Sequence, residues 1–415
     1  MSLLKNTYFK SIILLISGAG FSQLIPVVFS PILGRMFSPQ EFGVFAVFVA
    51  FCSILGMLST GMYELSIMIP KKDIYALNIV AWIVILSSVV SILLFVLLFI
   101  FSYIPFIAQW ETRFKYYYLL PLGVLFVGGF QSYTYWLNRK KEYKILNFCR
   151  IGQSITIVVV SLFLGYLGYK DCGLIIGFLA GGFVTFVPLL VVLFNLKAKI
   201  SKQKIILNIK EYSNYPKLML PTSLMNTTAG YVPVFSIDKF FNSKIVGSYA
   251  MASRILTAPV SIISVVIGQV YYKRMTDIVN SGQKSLLSEF KRTSLLLVGV
   301  AMLIFLPLFF FGKELMIFVF GLQWKEAGKF LEIIAIATLV KFVVSPLSTI
   351  FLATNSLKKL ASWQTLYFFT TLGVFTISIF FKIAIEKLLI IYVFHECVLY
   401  FYYYLKMYKT AKMHS

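Results

Sequence analysis

Apolar residues in this chain neither alternate nor keep to one helical stripe; they run on in long blocks divided by short charged punctuation. The stretch from Ile79 to Phe101 carries no charge on any face. Blocks of that length match the roughly 20 residues a helix needs to cross a hydrocarbon core about 30 Å thick. Lipid offers backbone N–H and C=O groups no partner, so only helices or closed barrels span it. Barrel strands would alternate in polarity over about ten residues, a pattern absent here. The blocks predict helices at 11–34, 43–69, 75–103, 117–137, 147–169 and 173–196. A second set follows at 218–241, 245–271, 293–312, 328–354, 361–381 and 387–405. The expected architecture is an all-α polytopic membrane protein of about twelve transmembrane helices in two six-helix halves. Residues 1–196 and 218–415 make the halves, joined by a basic cytoplasmic linker at 197–217. Gly312 to Lys329 is too short for a further span and reads as an amphipathic piece at the interface.

Composition agrees: 59% of the 415 residues are hydrophobic and 13% charged, against about 25% charged in soluble domains. The 38 Lys and Arg residues set the orientation, because cytoplasmic segments are enriched in them. With both termini cytoplasmic, inner segments carry 25 of these residues and outer segments 11. The net charge of +23 is then topogenic, facing anionic lipid, and needs no nucleic acid. The first block resembles a signal peptide, since Lys5 and Lys10 precede Ile12–Ile16 and small residues follow. Cleavage would leave an odd helix number and spoil the charge asymmetry, so the segment is expected to be retained.

The four cysteines are scattered and read as packing residues. Two histidines exclude a rich His cluster, and no Gly-rich phosphate loop stands between a strand and a helix. Neither a metal nor a cofactor is expected.

An internal echo supports two halves. LGRMFSPQEFGVF (33–45) set on IDKFFNSKIVGSY (237–249) matches Arg35 with Lys239, Phe37 with Phe241 and Gly43 with Gly247. Each segment closes the first helix of a half and opens the second, so the halves would be parallel repeats. The two first helices are also the most polar, with Ser22, Gln23, Pro26 and Ser30 in one and Pro221, Asn226, Thr227, Thr228 and Pro233 in the other. Interrupted helices at matching positions point to a transport pathway; small residues serving close helix packing are the alternative.

GMYELSIMIPKKD (61–73), and PTSLMNTTAGYVPVF, GSYAMASRILTAPVSII and IGQVYYKRM within 221–275, resemble bacterial polysaccharide flippases. These are the O-antigen and capsule translocases of Wzx type, in the multidrug/oligosaccharidyl-lipid/polysaccharide exporter superfamily. NRKKEYKILNFCRIGQS (138–154) fits more loosely. The resemblance implies a flippase, not an enzyme, that moves undecaprenyl-pyrophosphate-linked oligosaccharide from the cytoplasmic to the periplasmic leaflet of the bacterial inner membrane. It implies lipid-linked oligosaccharide, membrane lipid and other polysaccharide-assembly proteins as partners.

Such a cargo cannot cross hydrocarbon unaided, because its charges and hydroxyls would lose their water. A carrier needs a polar cavity and buried cations. Arg254 lies about nine residues, roughly 14 Å, into its helix, and Lys341 about thirteen residues into its own. A charge at that depth costs about 2.5–3.5 kcal/mol or more and calls for a cavity or a partner. Both are candidate diphosphate ligands; pairing with Glu332, Glu396 or a carbonyl is the structural alternative. Asn226, Thr227 and Gln23 are candidates for polar contact with cargo. Glu64, six residues before Pro70 and about 9 Å from its helix end, is a candidate coupling carboxylate or gate, or a hydrated interfacial group. Arg35 and Lys239 are matched gate candidates, or ordinary helix-end charges. Arg150 reads as a headgroup anchor or a diphosphate contact at the cytoplasmic entrance, His395 with Glu396 as a satisfied pair or a proton relay, and Tyr400–Tyr404 as an interfacial aromatic belt. A drug or cation antiporter of the same superfamily is the nearest alternative, though it would favour acidic residues at depth. A membrane glycosyltransferase or polymerase would need a catalytic outer loop that this chain lacks.

Overall fold

The computed structural model describes residues 20–102, 116–281 and 286–413. Among these residues every regular element is helical. Residues 20–28 and, past a turn at Phe29, Ser30–Met36 form α1; the start of the first expected span lies outside the described residues. Then come α2 (Pro39–Thr60), α3 (Asp73–Ser102), α4 (Leu120–Arg139), α5 (Tyr143–Tyr166), α6 (Lys170–Asn195) and a short α7 (Lys202–Glu211). The chain continues with α8 (Leu220–Phe240), α9 (Ser243–Ser281), α10 (Leu286–Phe320), α11 (Lys325–Leu347), the single turn α12 (Ile350–Ala353), α13 (Leu357–Phe380) and α14 (Ile385–Met413). Over its described part each expected span falls on a helix, and among the described residues eight helical stretches are long and apolar enough to cross a membrane. Their outward faces carry residues such as Phe163, Leu303 and Phe318 at 60%, 78% and 80% exposure, as lipid-facing surfaces should. The protein is an all-α polytopic membrane protein.

The described chain makes two compact units: residues to Phe37 with Val44–Thr227, and Ser38–Gly43 with Thr228–Ser415. The division falls inside α8 rather than in the 197–217 segment.

That segment is no loose linker. A 3-10 turn (Lys197–Lys199) leads into α7, which docks on the first unit through polar side chains. Asn78 Nδ2 donates to the Lys199 carbonyl (3.2 Å) while its Oδ1 accepts from Ser201 N (2.8 Å). Asn208 donates to the Tyr75 carbonyl (3.0 Å). Tyr212 joins a core containing Tyr63, Ile67, Leu77, Trp136 and Leu189.

Two expected spans end differently from their hydropathy. The block read as one helix over 43–69 stops at Thr60, because Gly61 (φ 58°) and Met62 (φ 59°) turn left-handed. A 3-10 turn, Tyr63–Met68, completes it. The block expected to end at 312 instead continues to Phe320 past a kink at Phe311 (φ −123°, ψ 18°). Pro307 leaves the Leu303 carbonyl without its helical donor, a turn before the kink rather than at it. The N–H of Lys313 is then accepted by Glu332 Oε1 at 2.8 Å. Gly312 and Gly328 let the two helices meet: a Cβ on Gly328 would stand 2.5 Å from Lys313 Cα. Gly312–Lys329 is therefore helical for most of its length and packs one side, through Gly312, Met316, Phe320 and Trp324, into the unit.

The echo between the halves is a physical contact in the second unit. Ser38 and Asn242, equivalent in the alignment, both cap the next helix: Glu41 N donates to Ser38 Oγ (3.4 Å) and Ile245 N to Asn242 Oδ1 (2.9 Å). Glu41 returns a bond to Ser38 N, completing a capping box. The equivalent glycines then face each other. A Cβ on Gly43 would lie 1.8 Å from the Ser243 carbonyl oxygen, and one on Gly247 1.7 Å from that of Pro39. Only glycine permits this approach. Phe42 packs edge-on against Trp324 beside it (5.2 Å).

Candidate functional site

In the second unit the long helices converge on one buried ion pair. A spacing of four places Tyr392, Glu396 and Tyr400 on one face of α14. Trp363 and Tyr367 share a face of α13 by the same rule. Lys341 of α11 reaches between them and forms an ion pair with Glu396 Oε2. Glu396 is wholly buried, whereas the Lys341 side chain keeps 27% of its surface exposed. Tyr367 Oη donates to Glu396 Oε1 at 2.8 Å. The Lys341 ammonium lies 5.5 Å from the ring centre of Tyr400, 5.9 Å from that of Tyr392 and 6.0 Å from that of Tyr367. Ring faces at that range attract a cation. Tyr249 of α9 stands within electrostatic reach of both charges. Trp363 stacks on Tyr367 (5.2 Å) and Tyr403 (4.1 Å), which fixes the ring wall.

Of the three partnerships left open for Lys341, the Glu396 pair is the one formed, while Glu332 is engaged with the Lys313 amide. His395 and Glu396 do not pair with one another: both His395 ring nitrogens are buried without a hydrogen-bond partner, and the ring stacks on Tyr392. Neighbours in sequence point about 100° apart on a helix, so the adjacency misled. The Tyr400–Tyr404 run likewise splits. Phe401 and Tyr402 face outward at 60% and 42% exposure, but Tyr403 is buried at 2%. Tyr400 and Tyr403 therefore belong to the wall around the ion pair rather than to an interfacial belt.

Arg254 lies half-buried on α9, twelve positions after the Asn242 cap. Further along α9 a cavity of about 370 Å³ is lined by Ser264, Gly268 and Tyr272 of that helix, by Ser345 and Pro346 of α11, and by Thr349 and Leu352 beyond it. Lys239 is exposed at the end of α8, its ammonium 5.4 Å from the Phe240 ring centre.

The first unit holds the other deep charge. Glu64 is 3% exposed and its Oε2 lacks a hydrogen-bond partner. The left-handed Gly61–Met62 turn aims it inward, so the distance counted along a continuous helix does not apply, and a hydrated interfacial carboxylate is excluded by its burial. Its turn is clamped by a residue that sequence reading treated only as topogenic. Arg139 donates to the carbonyls of Ile67 (3.0 Å) and Pro70 (2.6 Å), and to Asp73 Oδ1 (2.9 Å). Lys140 takes the other Asp73 oxygen at 2.8 Å. Thr227 Oγ1 approaches Met57 Sδ at 3.8 Å. Asn226, Gln23 and Arg35 are exposed. The structure thus distributes the candidates over two units, with Lys341 and Glu396 as the joined charges and Glu64 standing apart.

Long apolar helices in two units, each with a buried carboxylate, define a multi-pass membrane protein. The family model described as polysaccharide biosynthesis protein matches residues 32–329, and the chain belongs to that family. The succinoglycan biosynthesis transport protein ExoT of Rhizobium meliloti (strain 1021) is 21% identical over 323 residues, 77% of this chain; the match spans 63% of that relative's length. Solved structures share the fold. An inward-facing multidrug resistance MATE family transporter of the MOP superfamily superposes with a TM-score of 0.71 at 14% identity, covering 94% of this chain and 95% of that one. The lipid II flippase MurJ, in an inward closed conformation, gives 0.70 at 15% identity, covering 97% and 91%. A MOP superfamily transporter from Pyrococcus furiosus gives 0.63 at 14%, covering 98% and 96%. The protein is a multi-pass protein of the bacterial inner membrane.

Proposed function

We propose that this protein is a flippase, with no catalytic step of its own, that carries an undecaprenyl-pyrophosphate-linked oligosaccharide from the cytoplasmic to the periplasmic leaflet. The cargo would be an O-antigen or capsule repeat unit, moved by alternating access through twelve spans with both termini cytoplasmic. The observation that carries this reading is the family match over residues 32–329. The fold alone is common to drug exporters and a lipid II flippase, so it does not choose between cargoes. In this reading Arg254 binds the diphosphate by the two-pronged donor geometry of its guanidinium, and Lys341, already paired with Glu396, would have to leave that carboxylate to join it. Asn226, Thr227 and Gln23 offer hydrogen bonds to the glycan. Glu64, buried with an unfilled acceptor, is the coupling carboxylate, and Arg35 and Lys239 serve as gate charges. The test is deletion of the gene. Intact lipid-linked units should accumulate on the cytoplasmic face while surface polysaccharide disappears. Loss of the units themselves would indicate an enzyme of synthesis, and long polymer in the mutant would refute transport.

A further inference from the structure

Helix α7 is too short and too polar to span a membrane, yet it is built to lie against one. Its inner side is committed to the first unit: Asn208 is 3% exposed and bonded to the Tyr75 carbonyl, and the flanking Tyr212 is buried in the core. Its outer side shows Ile206 and Leu207 at 42% and 58% exposure. Exposed lysines surround them, with Lys197 and Lys199 in the preceding turn and Lys202 and Lys210 on the helix. At helical spacing Lys202 and Lys210 lie one turn on either side of Ile206. Two apolar residues ringed by cations suit the boundary between acyl chains and anionic headgroups. The apolar run continues at Leu218 and Met219, exposed at 64% and 50%.

We propose that α7 with its flanking turn is a docking surface for anionic phospholipid of the leaflet it faces, and that this contact steadies the turn carrying Glu64. The link is direct. Tyr63, the residue before Glu64, sends its hydroxyl to the Ile209 carbonyl of α7 (3.4 Å). Tyr63 and Ile67 share a core with Tyr212, and Ile200 and Tyr215 pack on the same cluster. A lipid surface that holds α7 therefore holds one wall of the Glu64 turn, whatever cargo the protein carries.

The experiment places the full chain in nanodiscs of zwitterionic phosphatidylcholine, or of phosphatidylcholine with phosphatidylglycerol, and measures amide hydrogen exchange of 202–212 and 61–70. The native chain should exchange about five-fold or more slowly in both segments when phosphatidylglycerol is present, the effect expected from roughly one lysine engaged at an anionic surface. Replacing Lys197, Lys199, Lys202 and Lys210 by Gln, all exposed, should abolish the lipid dependence while the exchange of α3 and α4 stays as in the native chain. Tyr63→Phe should keep the response in 202–212 and reduce it in 61–70. Equal exchange in the two lipids, or a lipid response that survives the four Gln substitutions, overturns the docking surface. A response in 202–212 without one in 61–70 of the native chain overturns the link to Glu64.

Discussion

Removing Lys341 should do more damage than removing its partner. Glu396 has no exposed surface and keeps only the Tyr367 hydroxyl once Lys341 is gone. Stranding a buried charge costs about 3–5 kcal/mol, so Lys341→Met should lower the unfolding temperature by roughly 6–20 °C at about 2–4 °C per kcal/mol. Glu396→Gln still accepts from Tyr367 and leaves a lysine with 27% of its side chain exposed, so its loss should be about 1–2 kcal/mol. The double variant holds no buried charge and should match Glu396→Gln or exceed it, because replacing a whole buried pair is often neutral. The four proteins, purified in one detergent and unfolded thermally with tryptophan fluorescence as the readout, form a double-mutant cycle. Non-additivity of about 2 kcal/mol or more is expected, given side chains in direct contact. Additive losses, or a Lys341→Met protein as stable as the native one, would refute the pairing as a stabilising contact.

The helix crossing gives a second expectation. Gly43→Val or Gly247→Val must push two backbones apart and should cost about 1–3 kcal/mol of stability, whereas Gly230→Ala, with nothing within 4 Å of its Cβ, should be close to silent in the same thermal assay. Arg139→Ala should expose the Glu64 turn, read as faster hydrogen exchange at 61–70, and Arg139→Lys should restore little because one ammonium cannot serve two carbonyls and Asp73 in that planar geometry. Reporter fusions after Lys170 and Lys244 should read periplasmic and those after Lys204 and Lys284 cytoplasmic; a reversal at either outer loop would overturn the topology.

The helices were legible because lipid imposes a simple rule, that an uncharged block of about twenty residues spans. The equivalence of Gly43 and Gly247 was legible as a repeat, but their contact and the Ser38 and Asn242 caps beside them appear only in the folded chain. What hydropathy does not record is where a helix stops inside an apolar block. Hydropathy stays high past Thr60, where a left-handed pair ends the helix, and falls at Lys313–Glu314, where the helix kinks at Phe311 yet continues. Nor does depth along one helix reveal partners on another. Lys341 and Glu396 are 55 residues apart on different helices, and only packing chooses Glu396 over Glu332. The four-residue spacing of Tyr392, Glu396 and Tyr400 was available in the sequence as a face of α14. Arg139 carried no signal beyond its charge, because its acceptors are backbone carbonyls.

The central claim, transfer of a lipid-linked sugar between leaflets, is tested most directly with the purified protein in sealed vesicles. An undecaprenyl-pyrophosphate oligosaccharide with a labelled sugar is loaded in the inner leaflet, and its arrival outside is followed by an impermeant glycosidase. Vesicles with the native chain should expose the label much faster than protein-free vesicles, Arg254→Lys should retain part of that rate, and Arg254→Ala little of it. An exposure rate equal to that of protein-free vesicles, with folded protein present, would contradict the account.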